Sequence, residues 1–319
     1  MRFGIIGTGR IAKRFVPECQ SVPDAEISAV YNPHAGSADE FIKKIWQDPD
    51  LKYPASFSDL SSFWDTADTV YIASPHENHY EYIMQALEHG KHVLCEKPMV
   101  LKKDQAVEAY RKAEEAGLIL LEGLKTAYCP GYLKVKELVE SGVIGDIGYV
   151  DACFTKLEDK TKRELTDTDF GGSFTELGSY VMLPALDILG VDYIELGMDS
   201  IFNENGIDIF TKADIRYPDG LATLTCGLGV KSEGRLVIGG SKGYIKVDAP
   251  WWKTEHIEVH FEDPSETVSY DESFEGDGLR YEIRHLMDGN AGNKDVSIAM
   301  ASVMESFLEK RNGNRPGKG

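Results

Sequence analysis

Short apolar runs and helical repeats take turns along the first 122 residues. Arg2–Ile6 has the length and content of one buried strand, and Gly7 stops it. Ile11, Ala12, Phe15, Val16 and Cys19 then recur at helical spacing, so a helix follows at once. Ile27–Tyr31 predicts a second strand, closed by the turn-prone Asn32-Pro33. Thr69–Ala73, His92–Cys95 and Leu118–Leu121 predict three more, and a helix marked by Ile83, Ala86 and Leu87 ends at Gly90. Strands separated by helices require crossover connections and hence a parallel sheet.

After about residue 123 the rhythm changes. A helix over Tyr132–Ser141 leads into a strand over Ile147–Phe154, and a second helix covers Phe174–Leu189. Strands then follow one another with tight turns between them. Pro218-Asp219-Gly220 separates Ala213–Tyr217 from Leu221–Thr225, and Gly239–Gly243 separates Arg235–Ile238 from Tyr244–Val247. Ile257, Val259 and Phe261 alternate in a further strand. Val296, Met300, Val303, Met304, Phe307 and Leu308 predict a final amphipathic helix over about 295–310, with a frayed tail over Asn312–Gly319. The fold class is therefore α/β. A Rossmann-type, doubly wound parallel sheet is expected over residues 1–122, and an α+β domain with a large, mostly antiparallel open sheet over 123–319.

Composition narrows the partners. The chain of 319 residues exceeds one average domain, which agrees with two. With 34 basic and 53 acidic residues the net charge is −19, a field that repels phosphate backbones, so nucleic acid is not an expected partner. Cys19, Cys95, Cys129, Cys153 and Cys226 are odd in number and form no CxxC pair, so free buried thiols in a reducing compartment are expected. No apolar run reaches the length of a membrane span, and the chain opens directly on a strand-like run. A soluble, cytoplasmic protein without a membrane partner is the expectation.

Gly7-Thr8-Gly9-Arg10-Ile11-Ala12 fits G-x-G-x-x-A between a strand and a helix. The first glycine permits the tight turn, and the second lets backbone approach a pyrophosphate. Small Ala12 lets helix and strand pack closely, while the helix N-terminus faces the phosphates. Glycine turns are common, and methyltransferases use related loops. Here, however, the second strand ends at Asn32, twenty residues after Ala12, as a dinucleotide site requires. Asn32 stands where Asp or Glu would bind the ribose hydroxyls of NAD. It does not repel a 2′-phosphate, and no arginine follows to attract one. The cofactor is NAD or NADP.

Two further segments carry more information: Ala73-Ser74-Pro75-His76-Glu77-Asn78-His79, and Gly90–Cys95 followed by Glu96-Lys97-Pro98. With the glycine loop, they resemble the glucose–fructose oxidoreductase and inositol dehydrogenase family, often written Gfo/Idh/MocA. The likeness continues through Glu122–Gly131, Gly171-Gly172-Ser173 with Glu176, Gly178 and Tyr180, and Tyr281–His285. Open α/β sheets bind ligands beyond the carboxyl ends of their strands, where Glu96-Lys97-Pro98 falls. The resemblance implies that Lys97 reaches both nicotinamide and substrate, with Ser74, Pro75, His79 and Glu96 lining the cofactor. A structural histidine is the other reading of His79. Glu176 and Tyr180 share one helix face at i, i+4. In family members with a tyrosine at the latter position it exchanges the hydroxyl proton beside the lysine, so Tyr180 is the candidate general acid/base. Glu176, where the family usually has Asp, would orient substrate. A surface glutamate and a core-capping tyrosine are the alternative.

Tyr180 makes the chain most similar to the dihydrodiol dehydrogenase and glucose–fructose oxidoreductase branches. The first commonly carries Trp-Thr-Arg-Phe after its sixth strand, where this chain has Lys125-Thr126-Ala127-Tyr128. A dihydrodiol substrate therefore does not simply transfer. Lys125 and Tyr128 are candidate substrate residues for an anionic or polyhydroxylated sugar, or Lys125 faces solvent. No histidine has companions at metal-ligand spacing, so no metal is expected. The reading is reversible hydride transfer between nicotinamide and a carbinol carbon of a sugar, polyol or related alcohol. It has Lys97, Tyr180 and Glu176 as the catalytic set and a homodimer or homotetramer built through the C-terminal sheet. A catalytically silent NAD(P)-binding sensor of the same fold is the alternative.

Overall fold

The computed structural model describes residues 1–47 and 52–313. The chain divides into two compact units, Met1–Lys125 with Glu275–Lys294, and Thr126–Phe274 with Asp295 onward. In chain order the helices are α1 (Arg10–Gln20), α2 (Ser37–Ile45), α3 (His79–Glu88), α4 (Lys103–Glu115), α5 (Pro130–Glu140), α6 (Arg163–Thr166), α7 (Ser173–Ile188), α8 (Leu279–Met287) and α9 (Lys294–Gly313).

In the first unit, β1 (Arg2–Ile6), β2 (Glu26–Tyr31), β3 (Ala55–Phe57), β4 (Thr69–Ile72), β5 (His92–Glu96) and β6 (Leu120–Gly123) form a six-stranded sheet. All neighbours pair in parallel, in the order β3-β2-β1-β4-β5-β6. This is the doubly wound Rossmann order, and the strand sequence reverses between β1 and β4. The apolar stripe of α1 lands as expected: Ala12, Phe15, Val16 and Cys19 are fully buried. Phe15 stacks on Tyr71 of β4 with ring centroids 3.7 Å apart, a contact of about 1 kcal/mol beyond the area buried. Strand β6 begins two residues later than the apolar run suggests. Gly117 (φ +63°) ends α4, and the Leu118 amide donates back to the Ala113 carbonyl, so Leu118 belongs to the helix exit.

Residues 275–294 belong to this first unit, not to the C-terminal part of the chain in which the hydrophobic pattern leaves them. Buried apolar residues of α8 and a set of charged contacts hold them there. Glu18 of α1, 4% exposed, accepts from the backbone amides of Asp277 (3.1 Å) and Arg280 (3.2 Å). It also accepts from Arg280 Nε (3.1 Å) and Nη2 (2.7 Å). Arg14, one turn earlier, grips the Asp277 carboxylate with two bonds of 2.7 Å. A Cβ at Gly276 (φ +56°) would lie 2.1 Å from Glu18 Oε1, so the turn is moulded around that carboxylate.

The second unit holds β7 (Ile147–Thr155), β8 (Glu195–Phe202), β9 (Asp208–Arg216), β10 (Leu221–Gly227), β11 (Leu236–Gly240), β12 (Gly243–Val247), β13 (His256–Phe261) and β14 (Val268–Asp271). The sheet order is β14-β13-β12-β11-β7-β10-β9-β8. Every pair is antiparallel except β7 with β10, matched from Leu221 against Tyr149 to Gly227 against Thr155. Along β10, Ala222, Leu224 and Cys226 are buried while Leu221 is exposed, the period of two that one covered face demands. Helix α7 covers that face, packing on β7, β9 and β10. Helix α9 runs through Gly313, further than the amphipathic stripe predicts. The rest of the expected frayed tail, Asn314–Gly319, lies outside the described residues.

Candidate active site

The carboxyl ends of β1, β4 and β5 lie side by side in the first unit, and each carries one of the sequence signals. After β1, Gly7 adopts φ +107°, and a Cβ there would meet the Ala73 carbonyl oxygen at 2.5 Å. No side chain fits. Gly9 is different: a Cβ there meets nothing within 4 Å, and the residue is exposed at the N-cap of α1. The space over Gly9 is open, no side chain caps the helix, and its first turn has no acidic residue. These features fit a dinucleotide's pyrophosphate lying against backbone amides. Thr8 is half-buried and Arg10 exposed at the first helical position. Ile11 is half-buried, and Ala12 is packed against the sheet. Asn32 braces this loop. Its side-chain amide donates to Thr8 Oγ1 (2.8 Å), and its oxygen accepts from the His34 amide (3.0 Å).

Ser74 is half-buried and Pro75 exposed after β4, but His79 does not face outward. It has no exposure, and its Nδ1 and Nε2 each lie 3.0 Å from a carbonyl oxygen, of Pro98 and of Ser74 respectively. Burial holds its pKa below the usual histidine value. His79 ties the loop after β4 to the loop after β5.

Within Val93–Val100 only Lys97 is not buried. Its neighbour Glu96 is 9% exposed and accepts from Tyr71 Oη at 2.6 Å, with burial raising its pKa. Glu96 thus ties β5 to β4 at the residue before Lys97. Glu282 of α8 joins this acidic interior. It is 1% exposed, and neither carboxyl oxygen has a hydrogen-bond partner among the described residues. Burial first, and then the Glu96 charge, push its pKa well above the usual carboxylate range. Lys125 also turns inward. Its ammonium donates to the Asp277 carbonyl, and burial together with nearby Arg14 lowers its pKa. The Arg14–Asp277 turn offers that ammonium its carbonyl. Glu122 completes the group by accepting from the Met99 amide (3.0 Å).

In the second unit, the first fourteen residues of α7 are buried with two exceptions, Glu176 and Tyr180. The pair therefore forms the single open stripe of that part of the helix. Tyr180 meets Phe154 of β7 edge to face (5.2 Å, 69°), and Phe154 stacks on Trp252 (3.5 Å, 6°). Trp252 sits in a short helical turn, Trp251–Lys253, anchored by Trp251 Nε1 donating to the Cys153 carbonyl (2.8 Å). This aromatic wall beside Tyr180 escaped the sequence reading, although a tandem tryptophan in a turn was a visible signal. Tyr128 lies half-buried in the turn Lys125–Tyr128, beside Thr126, whose hydroxyl donates to the Trp252 carbonyl (2.8 Å). Among the described residues no group of three or more His, Cys, Asp or Glu is placed to hold a metal ion, and no helix is long and apolar enough to cross a membrane.

A glycine loop, an exposed helix N-terminus and a lysine at adjacent strand ends are the parts of a nicotinamide-dependent oxidoreductase. The family description "Oxidoreductase family, NAD-binding Rossmann fold" matches residues 1–124, and "GFO/IDH/MocA C-terminal domain" matches residues 132–246. The mouse trans-1,2-dihydrobenzene-1,2-diol dehydrogenase is 26% identical, covering 97% of this chain and 95% of that protein. The Bacillus subtilis (strain 168) scyllo-inositol 2-dehydrogenase (NADP(+)) IolU is 28% identical over 82% of this chain and 80% of its own length. KijD10, a 3-ketoreductase from Actinomadura kijaniata solved with TDP-benzene and NADP, shares the fold. Its TM-score is 0.79 at 23% identity, over 96% of both chains. The chain belongs to the Gfo/Idh/MocA family of NAD(P)-dependent oxidoreductases.

Proposed function

We propose that this enzyme interconverts a secondary alcohol and a ketone on a sugar, a polyol or a related diol. Bound nicotinamide would supply the hydride acceptor or donor at C4. Gly7, Thr8, Gly9, Arg10 and Ala12 would hold the pyrophosphate, with Asn32 keeping the loop in shape and Ser74 and Pro75 beside it. Lys97 and Tyr180 would together hold and release the hydroxyl proton, and Glu176, on the Tyr180 face, would orient the substrate by accepting from a second hydroxyl. The wall of Phe154 and Trp252 suits the C–H face of a sugar ring or the ring of a cyclic diol, with Tyr128 nearby. The observation that carries the reading is the assembly of the glycine loop, Ser74-Pro75 and Lys97 on neighbouring strand ends. The relatives named for diol and inositol oxidation, and the 3-ketoreductase, support the substrate class.

The test is the rise or fall of reduced-nicotinamide absorbance when NAD or NADP is offered with a panel of polyols, cyclic diols and oxidised sugars. Thermal shifts with each nucleotide choose the cofactor first. Lys97→Met and Tyr180→Phe are each expected to lower kcat at least 100-fold while the cofactor still raises the melting temperature. Nucleotide binding without turnover on any of the panel, unaltered by Lys97→Met, would favour a sensor. The outer face of the second unit's sheet exposes Tyr149, Leu221 and Tyr244, and we assign it to self-association as a dimer or tetramer, in a cytoplasmic enzyme. Light scattering of Tyr149→Glu against the parent chain checks the assembly.

A further inference from the structure

The segment that leads into α7 is held by a residue near the far end of the chain. Arg311, in the last turn of α9, is 2% exposed. Its guanidinium donates to the carbonyls of Gly171 (2.7 Å), Asp169 (2.5 Å) and Thr168 (3.4 Å). The planar guanidinium holds its donors in a fixed fork that spans the three carbonyls, whereas a lysine ammonium is a compact point charge on a flexible stem. Asp208, the first residue of β9, is fully buried 4.0 Å from the same guanidinium. One of its oxygens accepts from the Phe174 amide (2.8 Å) and from Thr211 Oγ1 (3.0 Å). Ser173 Oγ donates to the Asp208 carbonyl (3.1 Å) and accepts from the Leu228 amide (3.0 Å). At Gly172 (φ +121°) a Cβ would lie 1.9 Å from Asp208 Oδ1. Residues 168–174 are thus pinned from α9, β9 and the end of β10 together.

We propose that Arg311 and Asp208 are positioning residues for the reaction, which set where α7 begins and therefore where its open stripe of Glu176 and Tyr180 stands. This rests on the role proposed above for Tyr180. Packing alone leaves that position less defined, because a helix can slide or turn against a sheet while keeping its apolar face covered. A slip of about 1 Å at a reacting group costs on the order of 100-fold in rate. The fixed points lie within two turns of Tyr180, so the phenol inherits their precision.

The experiment compares full-length Arg311→Lys and Asp208→Asn with the parent chain by two readouts. Hydrogen exchange, which needs no turnover, is expected to quicken at least tenfold in peptides covering residues 168–180 and to stay unchanged in the first unit. Steady-state kinetics are expected to show kcat reduced 10- to 100-fold with the cofactor KM within twofold. Thr211→Val removes one donor to Asp208 at constant volume. It gives the same pattern at smaller amplitude and replaces the other two if they fail to fold. Folded variants with parental kcat and parental exchange over 168–180 overturn the latch. If Tyr180→Phe keeps full turnover, the assignment of Tyr180 fails instead, and the exchange result still decides whether Arg311 and Asp208 hold the helix.

Discussion

Replacing Asp208 by Asn should change how the folding free energy depends on pH, and the structure supplies the size of the effect. Burial pushes the Asp208 carboxyl up to about 6 from an ordinary 3.8, although hydrogen bonds from Phe174 and Thr211 and the Arg311 charge pull the other way. The folded chain therefore binds the Asp208 proton more tightly than the unfolded chain does. Such a group contributes its full stability at pH values below about 3.8, and the contribution is lost as the pH rises through about 6. The interval spans about 2.2 pH units at about 1.4 kcal/mol each, so ionised Asp208 costs about 3 kcal/mol relative to its protonated form. Between about pH 4.5 and pH 7.5 roughly 2 kcal/mol of that should appear. Asparagine has no such proton. The assay is urea unfolding of both proteins followed by tryptophan emission, with the stability difference between them plotted against pH. Asparagine also leaves Arg311 without its anion, which offsets the whole curve but not its slope. The expected result is that the parent loses ground to Asp208→Asn by about 2 kcal/mol across that window. Parallel curves would refute the claim that this carboxyl is ionised at a cost inside the second unit.

Gly7→Ala is expected to cost about 2–3 kcal/mol, since it combines a left-handed backbone with a contact of 2.5 Å to the Ala73 carbonyl. It should also abolish the nucleotide-induced thermal shift, while Gly9→Ala, whose Cβ meets no protein atom, should weaken nucleotide binding with little change in the melting temperature of the free protein. Glu282→Leu removes a buried acid whose oxygens have no hydrogen-bond partner among the described residues. Because the folded-state pKa is raised, the stability that Glu282 contributes fades as the pH climbs, so the leucine variant should gain on the parent from about pH 5 upward in thermal melts.

What could be read from the chain depended on whether a signal was local. The glycine loop, the strand ends at Ser74 and Lys97, and the hairpins at Pro218–Gly220 and Gly239–Gly243 all combine a short apolar run with its own turn chemistry, and each was legible. Helix α4 was not singled out, because its buried stripe is Ala106, Ala109, Tyr110 and Ala113, small residues that barely stand out from their charged neighbours. Strand β8 was missed for the opposite reason: at a sheet edge it buries Met198 alone and shows no clean alternation. Partners distant in sequence were beyond reach. Nothing near Lys125 announces that Asp277 will offer it a carbonyl, and nothing near Glu18 announces Arg280. The inward-facing His79 and Glu96 show the same limit. Their segments were recognised, but which way each side chain points was settled by Pro98, Ser74 and Tyr71, residues brought in by the fold.

One seam in the second sheet shapes how this protein must be made. Strands β7 and β10 run the same way, so no hairpin can join them, and the chain between lays down two helices and then an edge strand before working back to the middle. The two halves of the seam emerge from the ribosome some 70 residues apart. Until the later half arrives, β7 has an open flank of unpaired amides and carbonyls, and the helix destined to bear the phenol has only part of its bed. Closure of the seam and completion of the bed under α7 are therefore one late event, and a nascent chain halted before Gly227 holds neither.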